Sequence, residues 1–214
     1  MRIALIGYGR MGRTVEQVAL ERGHEIVFRG DVGWQVSELP EADVVVEFST
    51  PQTAEENVDR LLDRRLPVVS GTTGWDTEAM REKSRRTGVA FLWASNFSVG
   101  VNLFFALNER LAELMKGYDY QPSVTEIHHI HKLDKPSGTA RTLAAAIGGD
   151  VPVESIREGE VAGIHTVRWE SKADTISITH EAKSRTGFAL GAVIAAEWLQ
   201  GKQGWHTMRE VLHL

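Results

Sequence analysis

The chain has 214 residues, enough for one large domain or two small ones, and its 42% hydrophobic and 25% charged residues are ordinary for a soluble globular protein. A net charge of -5 argues against nucleic acid as a default partner, and the absence of cysteine removes disulfides, thiolate metal sites and cysteine nucleophiles together. The first apolar run is too short for a signal-peptide core and none approaches the roughly 18–20 residues of a bilayer span, so a cytoplasmic protein without a membrane partner is expected.

Taken in chain order, the apolar run Arg2 to Ile6 ends in glycine and reads as a buried strand. After "GYGRMG" (Gly7 to Gly12), Val15, Val18 and Ala19 recur at helical spacing, and Gly23 is a suitable stop. "HEIVFR" (His24 to Arg29) and "DVVVEF" (Asp43 to Phe48) predict a second and a third strand. Pro51 to Arg65 predicts a helix with proline in its first turn, where a missing N–H costs little. "PVVS" (Pro67 to Ser70) and "VAFLWA" (Val89 to Ala94) predict two more strands around a polar helix from about Asp76 to Thr87. Strands alternating with helices at this spacing indicate a Rossmann-type, doubly wound parallel sheet, an α/β fold.

The pattern then changes. "VNLFFALNERLAELMKG" (Val101 to Gly117) is an amphipathic helix, and longer strands follow in "PSVTEIHHI", "GIHTVRWES" and "DTISITHEA". Val167 and Trp169 share one face, as do Ile176 and Ile178, with "KAD" between them as a hairpin turn. A mainly antiparallel sheet in a smaller α+β domain is expected. "TGFALGAVIAAEWLQG" and "HTMREVLHL" close the chain as helices that pack back on the first domain, so residues 1–98 and 187–214 should form one domain and 99–186 the other.

Gly7, Gly9 and Gly12 match G-x-G-x-x-G after a strand and at the opening of a helix. The first permits the tight turn, the second lets backbone approach a pyrophosphate, and the third lets helix and strand pack closely; the helix N-terminus adds free N–H groups. Tyr8, Arg10 and Met11 complete this loop, and dinucleotide binding is expected of it. Arg29, at the end of the second strand, has two readings: a contact for a 2′-phosphate, hence NADPH, or a solvated arginine. Asp31 just beyond suits a ribose hydroxyl and keeps NADH open. The loops "SGTTGW" (Ser70 to Trp75) and "ASNFSVG" (Ala94 to Gly100) also lie at carboxyl ends of strands, where open α/β sheets bind ligands.

Three of the eight histidines fall in "EIHHIHKLDKPSGTA" (Glu126 to Ala140). Neither a cysteine nor an obvious carboxylate completes a familiar metal-ligand spacing, so no metal is expected. Ser137 is a natural N-cap, and Gly138, Thr139 and Ala140 would open a helix whose free N–H groups and Thr139 hydroxyl suit a carboxylate. Lys132 adds positive charge, and the histidines can donate a hydrogen bond or a proton near neutral pH. In a regular strand His128 and Lys132 would sit about 13 Å apart at roughly 3.3 Å per residue, so both reach one small molecule only if the chain turns between them. "KLDKP" suits such a bend.

This motif resembles the signature of the dihydrodipicolinate reductase family, and "GRMG", "GTTG" and "NFSVGVN" resemble that family in the same order over nearly the whole chain. The resemblance implies hydride transfer from NADPH or NADH to a cyclic, unsaturated dicarboxylic acid in diaminopimelate and lysine biosynthesis. It implies His128 as catalytic acid/base and Lys132 as proton donor or charge stabiliser, with His129, Gly138 and Thr139 holding substrate carboxylates. Gly71, Thr72 and Thr73 with Ala94, Ser95, Asn96 and Phe97 would line the nicotinamide side. Arg185 resembles a family arginine near the domain junction, and a hinge salt bridge is its other reading. Family members are commonly homotetramers assembled through the antiparallel sheet. Two departures stand out: many members carry one more residue between the first two glycines, and this chain is trimmed between Arg29 and Asp43. A rival reductase, such as an aspartate dehydrogenase-like protein, would share the first domain without using the His/Lys/Ser-Gly-Thr set. A nucleotide-sensing module would bind cofactor without turnover.

Overall fold

The computed structural model describes residues 1–214, which divide into two units, 1–99 with 186–214, and 100–185.

The first unit is built on a six-stranded parallel sheet. Its strands are β1 (Arg2–Ile6), β2 (Glu25–Gly30), β3 (Val44–Glu47), β4 (Val68–Ser70), β5 (Phe91–Trp93) and the two-residue β10 (Trp205–His206), in the order β10-β5-β4-β3-β1-β2. The central strands read as unbroken apolar runs because both faces are covered. Alternation within β1 shows it directly: Ile3 and Leu5 join one core, Ala4 and Ile6 the other. The first core also takes Val15, Val18 and Ala19 of α1 (Arg10–Glu21) and the small residues Ala189, Ala192, Ala195 and Ala196 of α6 (Thr186–Trp198). The second takes Val58, Leu61 and Leu62 of α2 (Pro51–Asp63) and Met80 of α3 (Glu78–Thr87). The C-terminal segment differs from the single helix expected. Trp205 and His206 pair with Phe91 and Leu92 as a sixth strand, and only Met208–Val211 is helical, as α7.

Strand order reverses between β1 and β3, the switch point at which such sheets open a ligand crevice. A cavity of about 360 Å³ lies there, lined by Gly7 and Gly9, by Asp31 to Gln35, and by Phe48 to Thr50.

The second unit carries a four-stranded sheet in the order β7-β6-β8-β9, from β6 (Gln121–His128), β7 (Val153–Arg157), β8 (Ile164–Glu170) and β9 (Thr175–Glu181). β6, β8 and β9 pair antiparallel, but β7, absent from the sequence reading, pairs parallel with β6. The β8–β9 turn closes with Ser171 N–H donating to the Asp174 carbonyl. One face of the sheet, through Val124, Val167 and Trp169, packs on Phe104, Ala112 and Met115 of α4 (Val99–Met115) and on Ala140 and Leu143 of α5 (Gly138–Ile147). No helix is long and apolar enough to cross a membrane.

Candidate active site

In the first unit the glycine-rich loop is shaped by contacts that a side chain would forbid. Gly7 has φ +86°, and a Cβ on it would come within 2.0 Å of the Phe48 carbonyl oxygen. A Cβ on Gly12 would meet the Gly7 carbonyl at 2.3 Å, so loop and helix close on each other. Gly9 is the N-cap of α1 and has open space at its Cβ position, and no side chain caps the helix. The first-turn N–H groups of α1, from Arg10 and Met11 onward, are left without intrahelical acceptors. This loop and the adjoining cavity could hold a dinucleotide, since the free N–H groups suit a phosphate and the cavity has room for a nucleoside.

Two polar arrangements flank the loop. Arg29 does not stand free, because its guanidinium pairs with Glu16, which also accepts from the Tyr8 hydroxyl. The Arg29 hydrogen bond holds the Glu16 carboxyl below its ordinary range. Asp31, by contrast, lines the cavity. The second arrangement was not foreseen from sequence. Glu47, completely buried, accepts from Ser70 Oγ (2.6 Å), Thr72 Oγ1 (2.8 Å), Ser49 N (2.9 Å) and the Ser49 hydroxyl. It ties together the loops after β3 and β4, and with them Gly71, Thr72 and exposed Thr73. The Thr72 carbonyl in turn accepts from the indoles of Trp75 (2.8 Å) and Trp93 (2.7 Å). Beyond β5, Ala94 N donates to the Ser70 carbonyl and leads through Ser95 to Asn96, whose Oδ1 accepts from Ser98 N. Buried Phe97 meets Phe48 edge to face.

In the second unit the strand β6 delivers Glu126 and His128 to one face, two residues apart. The chain then turns at once, with Lys132 N–H donating to the His129 carbonyl. The bend therefore comes before "KLDKP", at Ile130 and His131. His128 is 8% exposed and Glu126 fully buried. His128 Nδ1 lies 2.9 Å from Glu126 Oε2, a close contact short of ideal hydrogen-bond alignment. Glu126 Oε1 accepts from Ser137 N (3.0 Å) and from Arg157 Nη2 (3.1 Å). Burial would raise the Glu126 carboxyl, but polar groups of Ser137, Ser155 and Arg157 outweigh it and hold it at about 2.

Arg157 does more than compensate charge. It also donates to the carbonyls of Lys132 (3.2 Å) and Asp134 (2.6 Å), stitching the Lys132 loop to the same carboxylate. Lys132 Nζ itself pairs with Asp134 at 2.6 Å. His165, from β8, meets His128 edge to face at 4.9 Å and contacts the Ser137 hydroxyl at 3.2 Å. Burial, with the neighbouring His128, lowers His165 to about 4; burial also lowers His128, against the pull of Glu126. Ser137 caps α5 through Ala140 N, as its position in the sequence predicts. Gly138 and Thr139 then present first-turn N–H groups beside this cluster.

His128, Lys132, Ser137 and the start of α5 thus share one network. His129 leaves the sheet and anchors through its N–H to the Val161 carbonyl. Arg185 is exposed, and no hydrogen bond or ion pair joins it to the cluster. Glu126, Arg157 and His165 are the members that sequence reading passed over. Ligand atoms of Glu126, His128 and His165 lie within 4.8 Å of one another.

A glycine-rich loop at a doubly wound switch point in one unit, and a buried His/Glu cluster next to a capped helix start in the other, are the parts a pyridine-nucleotide-dependent reductase needs. Comparison with known proteins narrows this. Residues 1–97 match the family model for the dihydrodipicolinate reductase N-terminus and residues 100–212 the model for its C-terminus. The chain belongs to the dihydrodipicolinate reductase family. It is 48% identical to the 4-hydroxy-tetrahydrodipicolinate reductase of Christiangramia forsetii, over 99% of this chain and 98% of that one. It is 32% identical to the enzyme of that name from Neisseria gonorrhoeae, over 100% and 98%. Among solved structures, a dipicolinate-bound dihydrodipicolinate reductase from Paenisporosarcina sp. TG-14 shares the fold, with TM-score 0.78, 21% identity and 98% of each chain covered.

Proposed function

We propose that the two units divide one reduction between them: residues 1–98 and 187–214 bind the dinucleotide, and residues 99–186 bind the dicarboxylate and supply the proton. The reaction is that of the family, reduction of 4-hydroxy-tetrahydrodipicolinate to tetrahydrodipicolinate, with loss of water, in diaminopimelate and lysine biosynthesis. When bound, the reduced nicotinamide supplies the hydride.

The chain's own residues do the rest. Gly7, Tyr8, Gly9, Arg10, Met11 and Gly12 hold the pyrophosphate, and Gly71 to Thr73 with Ala94 to Phe97 border the nicotinamide. In the second unit the first turn of α5, through Gly138 and Thr139, takes a carboxylate, with His129 and Arg185 as further anion contacts. His128 exchanges the proton and Lys132 stabilises the negative charge that develops as hydride arrives. The juxtaposition of His128 and the Lys132 loop on the Glu126–Arg157 pair carries this reading. This reading calls on no metal, since Arg157 supplies the positive charge beside the Glu126 carboxylate. The exposed edge strand β9, with Ile176 on its surface, leaves an edge free for the sheet-to-sheet contact that a homotetramer of the family kind would use.

Both NADH and NADPH are taken as cofactors, with NADH favoured. Arg29 is engaged by Glu16, while Asp31 borders the cavity where an adenosine ribose would lie, so the local charge suits a 2′-hydroxyl better than a 2′-phosphate. Loss of nicotinamide absorbance with freshly generated substrate, run side by side with NADH and NADPH, tests both statements. Oxidation of each, with the higher kcat/KM for NADH, is expected. No oxidation by a protein that still binds the cofactor would overturn the function, and a higher kcat/KM for NADPH would overturn the preference.

A further inference from the structure

Glu126 has no partner in solvent and touches neither helix N–H of the proposed carboxylate site. Its two oxygens divide cleanly between tasks. Oε1 is fixed by Ser137 N and Arg157, which leaves Oε2 2.9 Å from His128 Nδ1, within a small side-chain rotation of a hydrogen bond, and 3.9 Å from His165 Nε2. A carboxylate can only accept, so this contact favours the tautomer with the proton on the nitrogen facing it. We propose that Glu126 is a positioning residue for the reduction: it fixes His128 with Nδ1 protonated, so that Nε2 is the atom that takes up and delivers the proton. The inference rests on the reading of His128 as the acid/base.

Every charged group around the imidazole enters the account. Glu126 lies on its own strand, Lys132 and Asp134 on the following loop, Arg157 on β7 and His165 on β8, with His180 of β9 beyond His165. Lys132 and Arg157 disfavour a proton on His128, as does burial; Asp134 and Glu126 favour one. Burial already lowers His128, and without the Glu126 charge the balance tips further toward a neutral ring, so the proton donor forms only at lower pH. The same carboxylate, through Arg157, reaches the backbone of the Lys132 loop, so one buried charge sets the positions of both groups.

Glu126→Gln is nearly isosteric and separates these ideas. Its carbonyl oxygen can keep Ser137 N and Arg157, while its amide nitrogen would donate to Nδ1 and drive the His128 proton to Nε2. The expected result is a fall in kcat/KM of roughly 10- to 100-fold near pH 7.5, with activity recovering toward lower pH, and partial rescue by Glu126→Asp. Nitrogen-15 chemical shifts of the imidazoles give a second readout that needs no variant: neutral His128 in the wild-type protein should carry its proton on Nδ1. A wild-type proton on Nε2, or a Glu126→Gln pH profile that superimposes on wild type after scaling, overturns the inference. His128→Gln tells the two failures apart. Loss of turnover there with an unmoved Glu126→Gln profile sinks the positioning role alone, and retained turnover sinks the acid/base reading and the inference with it.

Discussion

Replacing Glu47 by alanine tests whether a buried carboxylate organises the nucleotide side. Glu47 gathers four donors, and Ser70, itself fully buried, offers its hydroxyl to Oε2 at 2.6 Å. Removing the side chain strands the Ser70 and Thr72 hydroxyls in a dry site, whereas Ser49 N keeps a second acceptor in Thr72 Oγ1 at 2.8 Å. At roughly 1–3 kcal/mol for each stranded group, the first unit should lose about 3 kcal/mol. Glu47→Gln should cost only about 1 kcal/mol, because the amide nitrogen can donate to a Ser70 hydroxyl that rotates to accept. Urea unfolding followed by tryptophan fluorescence is a direct assay, since Trp75 and Trp93 both donate to the Thr72 carbonyl. The dinucleotide Kd should weaken in the alanine variant alone. A Glu47→Ala protein within 1 kcal/mol of wild type, or a glutamine variant equally damaged, would refute the reasoning.

Other outcomes follow from single features. A methyl group on Gly191 would sit 1.7 Å from the Phe97 carbonyl oxygen, so Gly191→Ala should lower stability by about 1–3 kcal/mol and disturb the loop ending at Phe97, while Gly187→Ala, whose methyl meets nothing nearer than Ser98 Oγ at 3.8 Å, should keep the wild-type Tm. The second unit should weaken in acid in two stages. His165, lowered from 6.5 to about 4, favours the folded state fully above pH 6.5 and loses that preference as pH falls toward 4. Glu126, lowered from 4.5 to about 2, does the same between those values. Each is of order 3 kcal/mol at about 1.4 kcal/mol per pH unit, and His165→Asn should shrink the upper stage in pH-dependent unfolding, leaving the smaller part due to His128 and His180, which burial also lowers. Glu16→Gln should release Arg29 and raise kcat/KM for NADPH relative to NADH; an unchanged ratio would mean that Arg29 does not face the ribose.

The sheet of the first unit was legible because continuous apolar strands and glycine punctuation leave few alternatives. β10 was not. Two residues carry no period, and they form a strand only because β5 offers a free edge. β7 escaped for a related reason: "VESIR" is half polar, and its pairing with β6 depends on a partner some thirty residues earlier. At the site, the Ser137 cap and the His128–Lys132 motif were readable as local spacing. The groups that hold them were not, since Arg157 lies 31 residues from Glu126, and Glu47 lies 23 from Ser70. Sequence patterns report what is near in the chain, and these networks are assembled by strand register. Arg29 shows the same limit: its type and position left a phosphate contact and a solvated arginine both open, and the pairing with Glu16 becomes visible only when α1 and β2 are placed side by side.

The most direct test measures turnover and dinucleotide affinity together in His128→Ala and Lys132→Ala. Each variant should lose turnover by about 100-fold or more while binding the reduced nucleotide as tightly as wild type, because both residues belong to the second unit. Variants that keep turnover, or that lose turnover and nucleotide affinity in equal measure, would contradict the claim that the chemistry resides at this cluster.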